Sequence, residues 1–591
     1  MCMACEMGSA IFGSIGMSRR TLLKGAGAAA LSAGVASSDF FCSEARAQGT
    51  GDKIFTGGPI ITVDDALPSA EAVLVRDGRI LAVGTRDEIE SKKQGAAELI
   101  DLDGRTMLPG FFDPHSHVML VGLQANSANL LPPPDGDGTD IAALQRILRD
   151  WWARNKQTVD RYQLIMGFGY DDSQLTEQRH PTRDDLDAVS TELPIYLIHQ
   201  SSHLGCCNSK ALEFAGITAD TADPIGGVFR RRPGSNEPNG VLEESAHVAV
   251  LLKLLAKLDR DAVMTMIKDG AAFEARFGYT TAQEAAVFSP LLLEVAEQGG
   301  FAIDVLNYPE FFQFKDVIQS PWLSRDYRNH YRMGGTKLVA DGSPQGKTAW
   351  LSRPYFVPPQ GKGPDYVGYP AMPNEALMDA VDTAVANGWQ VLCHCNGDAA
   401  ADVYIAALRE AARKHGALNG RRNVLIHGQT LRTDQLDAMK ALGIIPALFP
   451  MHTFYWGDWH RDSVLGPERA ENISPTGWCM QRDMIFTTHH DAPVANPDAM
   501  RVLSATVTRR TRSGDILGSH HCVPVPIALK AMTLWPAYQH FEEDTKGSIE
   551  VGKLADFVLL DDNPLTADRD KLAEITLEET IKEGETVYRR N

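Results

Sequence analysis

The sequence is poor in cysteine: its 591 residues contain nine, and three of those lie in the first fifty residues. The remaining six are too sparse for a disulfide-stabilised scaffold. Cys206 and Cys207 are adjacent, and Cys393 and Cys395 are one residue apart, which is tighter than the usual zinc-finger spacing. The sequence therefore predicts neither a disulfide framework nor a thiolate metal site.

Positive charge is also scarce, since 57 lysines and arginines face 76 aspartates and glutamates, for a formal net charge of -19. This balance argues against nucleic acid or an anionic membrane surface as a partner. No run of about twenty apolar residues indicates a permanent membrane anchor. Hydrophobic residues still make up 44% of the chain, so we expect two or three domains with substantial cores. The charge balance favours a small molecule as the partner.

The first 47 residues contain the parts of an export signal in the expected order. Ser18-Arg19-Arg20 is followed by a short, weakly apolar stretch at 25–36 and by a small-residue pattern that ends at Ala47. This segment resembles a bacterial twin-arginine signal peptide. The resemblance implies cleavage after Ala47, the twin-arginine export machinery as a partner, and a soluble periplasmic protein.

The two ends of the remaining chain share a β-rich texture. The stretch 72–84 reads as a hairpin, with Asp77-Gly78 supplying a tight turn, and strand-like runs return after Gly547. We expect residues 48–106 and 526–591 to form one small composite β-sandwich domain. Two separate β caps are the alternative.

Between these ends, apolar strand-like runs alternate with helical stretches, which is typical of a parallel sheet with helices outside it. Eight runs occur, at 107–112, 279–283, 302–308, 335–340, 390–395, 423–427, 443–449 and 484–489. The pattern predicts an α/β fold in which residues 107–525 form a (β/α)8 TIM-like barrel. The long interval at about 126–268 predicts an inserted subdomain over the barrel mouth.

Histidines and an aspartate follow several of these runs. Side chains two apart on a strand share a face, so His115 and His117 point the same way at the end of the first run. The fifth run ends near His394, the sixth at His427 and the eighth near Asp491. Because barrel enzymes build their sites at the carboxyl ends of strands, we expect these groups to surround a divalent metal. The same parity predicts that Cys393 and Cys395 pack outward.

The motifs "LPGFFDPHSH", "GGTKLVADGS", "HCNGDAA", "LIHGQ" and "HHDAPV" carry a resemblance. Together with "NSKAL" in the insertion, they resemble the amidohydrolase superfamily, in the branch of N-substituted formamide deformylase and exoenzyme-like hydrolases. The resemblance covers nearly all of the chain after the signal segment. It implies fold and chemistry and leaves the substrate open.

The resemblance also implies roles for individual residues. His115, His117 and Asp491 would hold the more buried ion, and His394 and His427 a second one. Lys337 stands where two-metal members carry a carboxylated lysine that bridges both ions; a plain lysine that contacts substrate or Asp341 is the alternative. Zinc is the expected ion, with one or two per chain.

The pattern departs from the family near Asp491, where His489 and His490 precede it. His489 shares the parity of Asp491 and is expected beside the ligands, whereas His490 should face away. His203 and His452 are further candidates for holding a carbonyl oxygen or a substrate tail.

The aromatic residues near His452 favour an apolar or aromatic small-molecule substrate. They are Phe454, Tyr455, Trp456 and Trp459. Packing of these side chains within a lid is the alternative.

The implied activity is hydrolysis of a non-peptide carbon–nitrogen bond in an amide, N-formyl, carbamate or cyclic amide group. Metal-bound hydroxide would attack the carbonyl, with Asp491 as general base and then acid. Ester or lactone hydrolysis at the same site is one alternative, and a non-catalytic periplasmic metal- or ligand-binding protein is another. A monomer and a homodimer both stay open.

Overall fold

A computed structural model describes residues 51–224, 226–359 and 361–590, so the signal peptide expected at 1–47 lies outside the described residues. The strands are β1 (Asp52–Ile61), β2 (Ser69–Arg76), β3 (Arg79–Gly84), β4 (Ala97–Asp101), β5 (Thr106–Pro109), β6 (Phe111–Phe112), β7 (Ala128–Asn129), β8 (Ile165–Tyr170), β9 (Ile195–His199), β10 (Leu204–Cys207), β11 (Gly227–Arg231), β12 (Pro238–Glu244), β13 (Tyr279–Ala286), β14 (Asp304–Pro309), β15 (Tyr331–Met333), β16 (Gly335–Val339), β17 (Gln390–Cys395), β18 (Val424–His427), β19 (Ile445–Leu448), β20 (Thr487–Thr488), β21 (Phe557–Leu560), β22 (Leu577–Lys582) and β23 (Glu585–Arg589).

The α-helices alternate with many of these strands. They are α1 (Arg86–Lys92), α2 (Val118–Ala125), α3 (Ile141–Arg154), α4 (Lys156–Tyr162), α5 (Arg183–Asp187), α6 (Ser209–Ala215), α7 (Ser245–Leu255), α8 (Arg260–Ala275), α9 (Pro290–Glu297), α10 (Phe311–Ile318), α11 (Asn374–Ala386), α12 (Asp398–His415), α13 (Thr433–Leu442), α14 (Met451–Trp459), α15 (Pro467–Ala470), α16 (Thr476–Met480), α17 (Ala499–Thr508), α18 (Val525–Met532) and α19 (Leu534–Gln539). Within the described ranges, none of the helices has both the length and the apolar character needed to cross a membrane.

Strands from both ends of the described chain pair in one eight-stranded sheet. Its order is β23-β22-β21-β5-β1-β2-β3, with β4 paired to β1. The ends join where β5 runs antiparallel to β21, with Leu108 opposite Val558. Phe55 and Phe557 pack edge to face with ring centroids 5.3 Å apart, so the core of this sheet also draws on both ends.

The first predicted barrel strand, 107–112, is divided between two sheets. β5 pairs with β1 and β21, whereas β6 pairs in parallel with β13. The division falls at Gly110, where a Cβ atom would lie 2.4 Å from the side chain of Thr280. The sequence at 107–112 is apolar on both sides of the break because both strands are buried, so it did not reveal where one strand ends and the next begins.

Parallel strands and helices form the middle of the chain. β6, β13, β14 and β15 make a four-stranded parallel sheet, and β16 to β20 make a five-stranded one. Each of the eight predicted runs contains a strand. Interior side chains from both sheets and from α19 pack in one cluster: Phe112, Leu306, Tyr308, Leu392, Val424, Ile426, Ala447 and Ala537. The fold is therefore a mixed α/β fold with its parallel strands around a shared core.

A further six-stranded sheet lies in the interval expected to be an insertion. Its order is β11-β12-β10-β9-β8-β7, within residues 128–244. Helices α2 and α8 flank this stretch in sequence and cross closely at Gly122 and Gly270. A Cβ atom on Gly122 would lie 1.9 Å from the Met266 carbonyl oxygen. The domain boundaries stay predictions, since strand pairing defines sheets and not independently folding units.

Candidate metal centre

Four imidazoles and one carboxylate meet at the carboxyl ends of the parallel strands. Ring centroids of His115 and His117 are 5.3 Å apart, those of His115 and His427 are 5.3 Å apart, and those of His394 and His427 are 4.4 Å apart. All four rings and Asp491 are buried. Because parallel strands end at one edge of the core, residues far apart in sequence converge there.

Asp491 lies between the first two imidazoles. Its Oδ1 atom is 3.2 Å from Nε2 of His115 and 3.5 Å from Nε2 of His117. Potential ligand atoms of His115, His427 and Asp491 all lie within 4.8 Å of one another. Asp491 and His427 have φ values of 56° and 74°, which lie in the left-handed region of backbone conformation that residues other than glycine rarely adopt. Such strained backbone is commonly found at functional sites.

Electrostatics keep this group in the forms that bind cations. Burial and the nearby Lys337 lower the pKa of His115 to about 4, so its ring is neutral at pH 7. Burial alone would raise the pKa of Asp491, but the rings of His427 and His115 hold it well below its usual range. A neutral imidazole beside an ionised carboxylate is a suitable donor set for a divalent ion.

Hydrogen bonds on the far side of the rings fix which nitrogen faces the centre. The Nδ1 atom of His115 lies 2.8 Å from Oε1 of Gln283, and that of His117 lies 2.9 Å from the carbonyl oxygen of Ala285. Since both partners are acceptors, Nδ1 carries the proton in each ring and Nε2 is left as a lone-pair donor. Such support is characteristic of metal-binding histidines.

His394 has the opposite orientation. Its Nε2 atom lies 3.1 Å from the Gly342 carbonyl oxygen and carries the proton, so Nδ1 faces Nε2 of His427 at 2.9 Å. Two lone pairs at that distance repel unless a proton or a cation lies with them. The 2.9 Å separation is that of a hydrogen bond, so a proton lies between the two nitrogens and an ion that bound both would displace it.

Lys337 reaches the same centre from β16. Its buried Nζ atom lies 3.0 Å from Nε2 of His115. Asp341, the alternative partner weighed for it, instead accepts the backbone N–H groups of Asn396, Gly397 and Trp350. Lys337 therefore sits among the expected ligands.

The two histidines expected to hold substrate differ in position. The ring of His452 packs 4.7 Å from that of Phe449, which lies 6.2 Å from the ring of His427. Burial and His460 lower the pKa of His452 well below its usual range. His203 is half-buried, and its Nδ1 atom lies 3.1 Å from Glu244 in the six-stranded sheet. The structure thus brings His452 near the cluster and pairs His203 elsewhere.

All four predicted aromatic residues belong to α14. The Trp456 ring lies 4.7 Å from that of His452. The Tyr455 hydroxyl donates a 2.5 Å hydrogen bond to Asp135, which lies in the predicted insertion, while 45% of Trp459 is exposed. Trp456 is therefore the aromatic residue best placed to line the cluster.

His489 and His490 lie on opposite sides of the chain, as their parity indicates. The His489 ring is 5.2 Å from that of His115 and 5.1 Å from that of His427. His490 packs against Tyr279, and its Nε2 atom lies 3.5 Å from Glu274, behind the centre.

Sequence reasoning missed Gln283 and Asn396. Asn396 donates to the Gly342 carbonyl oxygen and lies 3.1 Å from Nε2 of His394. A polar residue inside an apolar strand run was the available signal for Gln283. Its role depends on a partner 168 residues away, which no local pattern reveals.

The chain is similar to known proteins over most of its length. The sequence profile of the amidohydrolase family matches residues 98–588, and that of a bacterial imidazolonepropionase-like composite domain matches residues 72–92. N-substituted formamide deformylase of Arthrobacter pascens is 28% identical, over 91% of this chain and 98% of that protein. Putative amidohydrolase YtcJ of Bacillus subtilis is 27% identical, over 91% and 99%.

Solved structures extend the likeness to the fold. An uncharacterized metal-dependent hydrolase from Pyrococcus horikoshii has a TM-score of 0.70 at 23% identity, covering 88% of this chain and 99% of that one.

Proposed function

Because the chain belongs to the amidohydrolase family and is a hydrolase of carbon–nitrogen bonds, we propose that it cleaves a non-peptide amide, N-formyl, carbamate or cyclic amide group in a metal-dependent reaction. The observation that carries the proposal is the Asp491 carboxylate, 3.2 Å from His115 and 3.5 Å from His117. A carboxylate at a cluster of imidazoles serves both metal binding and proton transfer.

The proposal includes a closed (β/α)8 barrel and a composite β-sandwich. A parallel bridge between Glu310 and Lys337 links the four-stranded and five-stranded sheets on one side. Joining β20 to β6 on the other side would close the barrel. The composite origin of the β domain is supported by the pairing of β5 with β21.

Two ions per chain are proposed, with zinc as the default. His115, His117 and Asp491 would hold one ion, His394 and His427 the other, and a carboxylated Lys337 would bridge them. Without carboxylation, an ammonium group 3.0 Å from a ligand nitrogen would repel the cations. A bound divalent ion supplies Lewis acidity to a carbonyl oxygen and acidifies water.

The chain's own residues then manage protons and position. Asp491, ionised at neutral pH, accepts the proton of the attacking water and delivers it to the leaving nitrogen. Gln283 holds His115 in orientation, and the Gly342 carbonyl oxygen does the same for His394. His452 is proposed to contact the substrate carbonyl oxygen or tail.

The substrate is proposed to be a small molecule with an apolar or aromatic part. Phe449 and Trp456 both pack against His452, each with its ring centroid 4.7 Å from the His452 ring, and their own centroids are 6.4 Å apart. Such a pair of rings favours apolar contact beside the reacting group.

Replacing Asp491 tests this function. Asp491→Asn, assayed on a panel of N-acyl, N-formyl, carbamate, cyclic amide, ester and lactone compounds, is expected to retain metal and lose turnover by about 10²–10⁴-fold. The control Asp52→Asn removes a buried carboxylate of the terminal sheet that pairs with Arg76, and is expected to retain activity. Undiminished turnover in Asp491→Asn would overturn the proposed role. Turnover of esters or lactones alone would replace the carbon–nitrogen assignment, and a metal-loaded wild type without turnover would favour a binding protein.

Export to the periplasm by the twin-arginine pathway is also proposed, on the Arg19-Arg20 segment and the small residues before Gln48. Arg19→Lys with Arg20→Lys in the full chain is expected to leave the protein in the cytoplasmic fraction. Equal periplasmic recovery of this variant and wild type would refute the route.

A further inference from the structure

His489 is a buried residue whose ring makes no hydrogen bond to the described part of the chain. Its ring has no solvent exposure, and both ring nitrogens are buried without a hydrogen-bond partner within the described part of the chain. Leaving a buried polar group unsatisfied costs about 1–3 kcal/mol. An imidazole in this state has both ring nitrogens available to a partner from outside the chain, and its surroundings decide which partner that is.

The surroundings of His489 indicate what that partner is. Its ring centroid lies 5.2 Å from His115 and 5.1 Å from His427, nearly the same as the 5.3 Å between those two rings. Imidazoles that share a tetrahedral zinc ion, with zinc–nitrogen distances of about 2.0–2.1 Å, place their ring centres roughly 5 Å apart. The ring of His489 thus lies at ligand spacing from one proposed ligand of each ion, His115 and His427.

The residues that pack against the His489 ring offer it few hydrogen-bond partners. The Phe449 ring lies 4.8 Å from it and offers no lone pair or polar hydrogen in the ring plane. The backbone N–H of His489 donates a hydrogen bond to the Leu448 carbonyl oxygen, which holds the residue against β19. The polar neighbours of the ring include His115, His427, Lys337 and, two residues on, Asp491.

We propose that His489 is an additional ligand of the ion proposed at His115, His117 and Asp491, with His427 of the second ion adjacent to it. The inference rests on the proposed metal-dependent function and extends it by one residue. It assigns the centre a fifth imidazole, so that the ion next to Asp491 has more nitrogen ligands than the other expected residues provide.

Metal binding is the direct test. Apo protein is titrated with zinc against a chromophoric chelator, and the visible absorption of the cobalt-loaded protein is recorded. His489→Gln is expected to lower the affinity by at least about 10-fold and to change the cobalt spectrum.

His521→Gln is the matched control. His521 is also buried with both ring nitrogens unpartnered in the described chain, but its ring neighbours are Trp478 and His520. This variant is expected to leave the affinity and spectrum unchanged. An unchanged affinity and spectrum in a folded His489→Gln protein would overturn the proposal.

A second measurement uses the wild type and does not depend on folding of a variant. Anomalous diffraction from crystals of the zinc-loaded protein is expected to place an ion about 2.0–2.1 Å from a His489 nitrogen. An ion bound by His115 with His489 outside coordination distance would refute the assignment. Both readouts are independent of turnover, so a protein that binds metal through His489 but hydrolyses nothing would refute only the proposed function.

Discussion

Lys337 and His115 approach each other with Nζ and Nε2 3.0 Å apart, at the point where β16 faces the segment after β6. Both side chains are fully buried. A lysine in this position either competes with a cation or, once carboxylated, binds it.

Metal content distinguishes these two states of Lys337. Protein purified with bicarbonate is expected to hold about two ions per chain. Lys337→Met is expected to lose the bridging ligand and to bind metal at least about 10-fold more weakly. The control Lys347→Met removes a buried lysine that contacts Ser463 outside the cluster. A wild-type ratio near one ion per chain, by elemental analysis, would rule out the bridge.

Gln283 is expected to tune metal affinity without touching the ion. Gln283→Leu removes the acceptor 2.8 Å from Nδ1 of His115, so the ring loses its fixed tautomer. Zinc affinity is expected to fall about 10–100-fold. Gln390→Leu serves as the control, because the Gln390 side chain accepts a hydrogen bond from the Tyr308 hydroxyl and contacts no histidine of the site. Equal zinc affinities for both variants, measured by chelator competition, would contradict the role of Gln283.

Part of the centre was accessible from the sequence because histidines and an aspartate follow the apolar runs. His115 and His117 both reach the centre, but they lie beyond β6, which ends at Phe112, so strand parity is not what brings them together. The Asp77-Gly78 turn is confirmed by φ values of 50° and 73° between β2 and β3. Strand parity did place Cys393 outward, where it packs in the same cluster as Tyr404 of α12. What the sequence did not reveal depends on tertiary contacts, such as the break at Gly110 imposed by Thr280.

The six-stranded sheet contains an ion pair that is expected to respond to pH. Nε2 of His199 lies 3.0 Å from Asp172 and 3.7 Å from Asp171. Burial alone would lower the pKa of His199, but these carboxylates raise it to about 9. A raised folded-state pKa contributes stability that is complete below the unfolded value near 6.5 and is lost as the pH rises through about 9.

Denaturant unfolding at pH 6 and pH 9.5 checks this contribution. His199→Asn should lose more stability relative to wild type at the lower pH and less at the higher one. The exposed pair of His415 and Asp382 offers the control variant His415→Asn, for which a small difference is expected at both pH values. Equal losses for His199→Asn at both pH values would contradict the assignment.

Glu542 is expected to be essential for stability. It lies 2.5 Å from Nη2 of Arg332 and 2.6 Å from Nζ of Lys546, and all three side chains are buried. Burial alone would raise the pKa of Glu542, but Lys546 and Arg332 lower it to about 2. Glu542→Gln leaves these cations incompletely paired and should destabilise the fold by about 3–5 kcal/mol.

The exposed pair of Glu410 and Arg413 provides the comparison for Glu542. Glu410→Gln should cost less than about 1 kcal/mol. Similar unfolding midpoints for the two variants would show that the buried network contributes little.

The position of β5 between β1 and β21 has a consequence for biosynthesis. A ribosome adding about 5–20 residues per second releases β21 long after β5, so one edge of β5 stays unpaired throughout elongation of the middle of the chain. Chains cut short before Phe557 would keep that edge open to pairing with other molecules. Synthesis of the last strands is thus the step that covers the free edge of β5 and lowers the risk that the nascent protein aggregates.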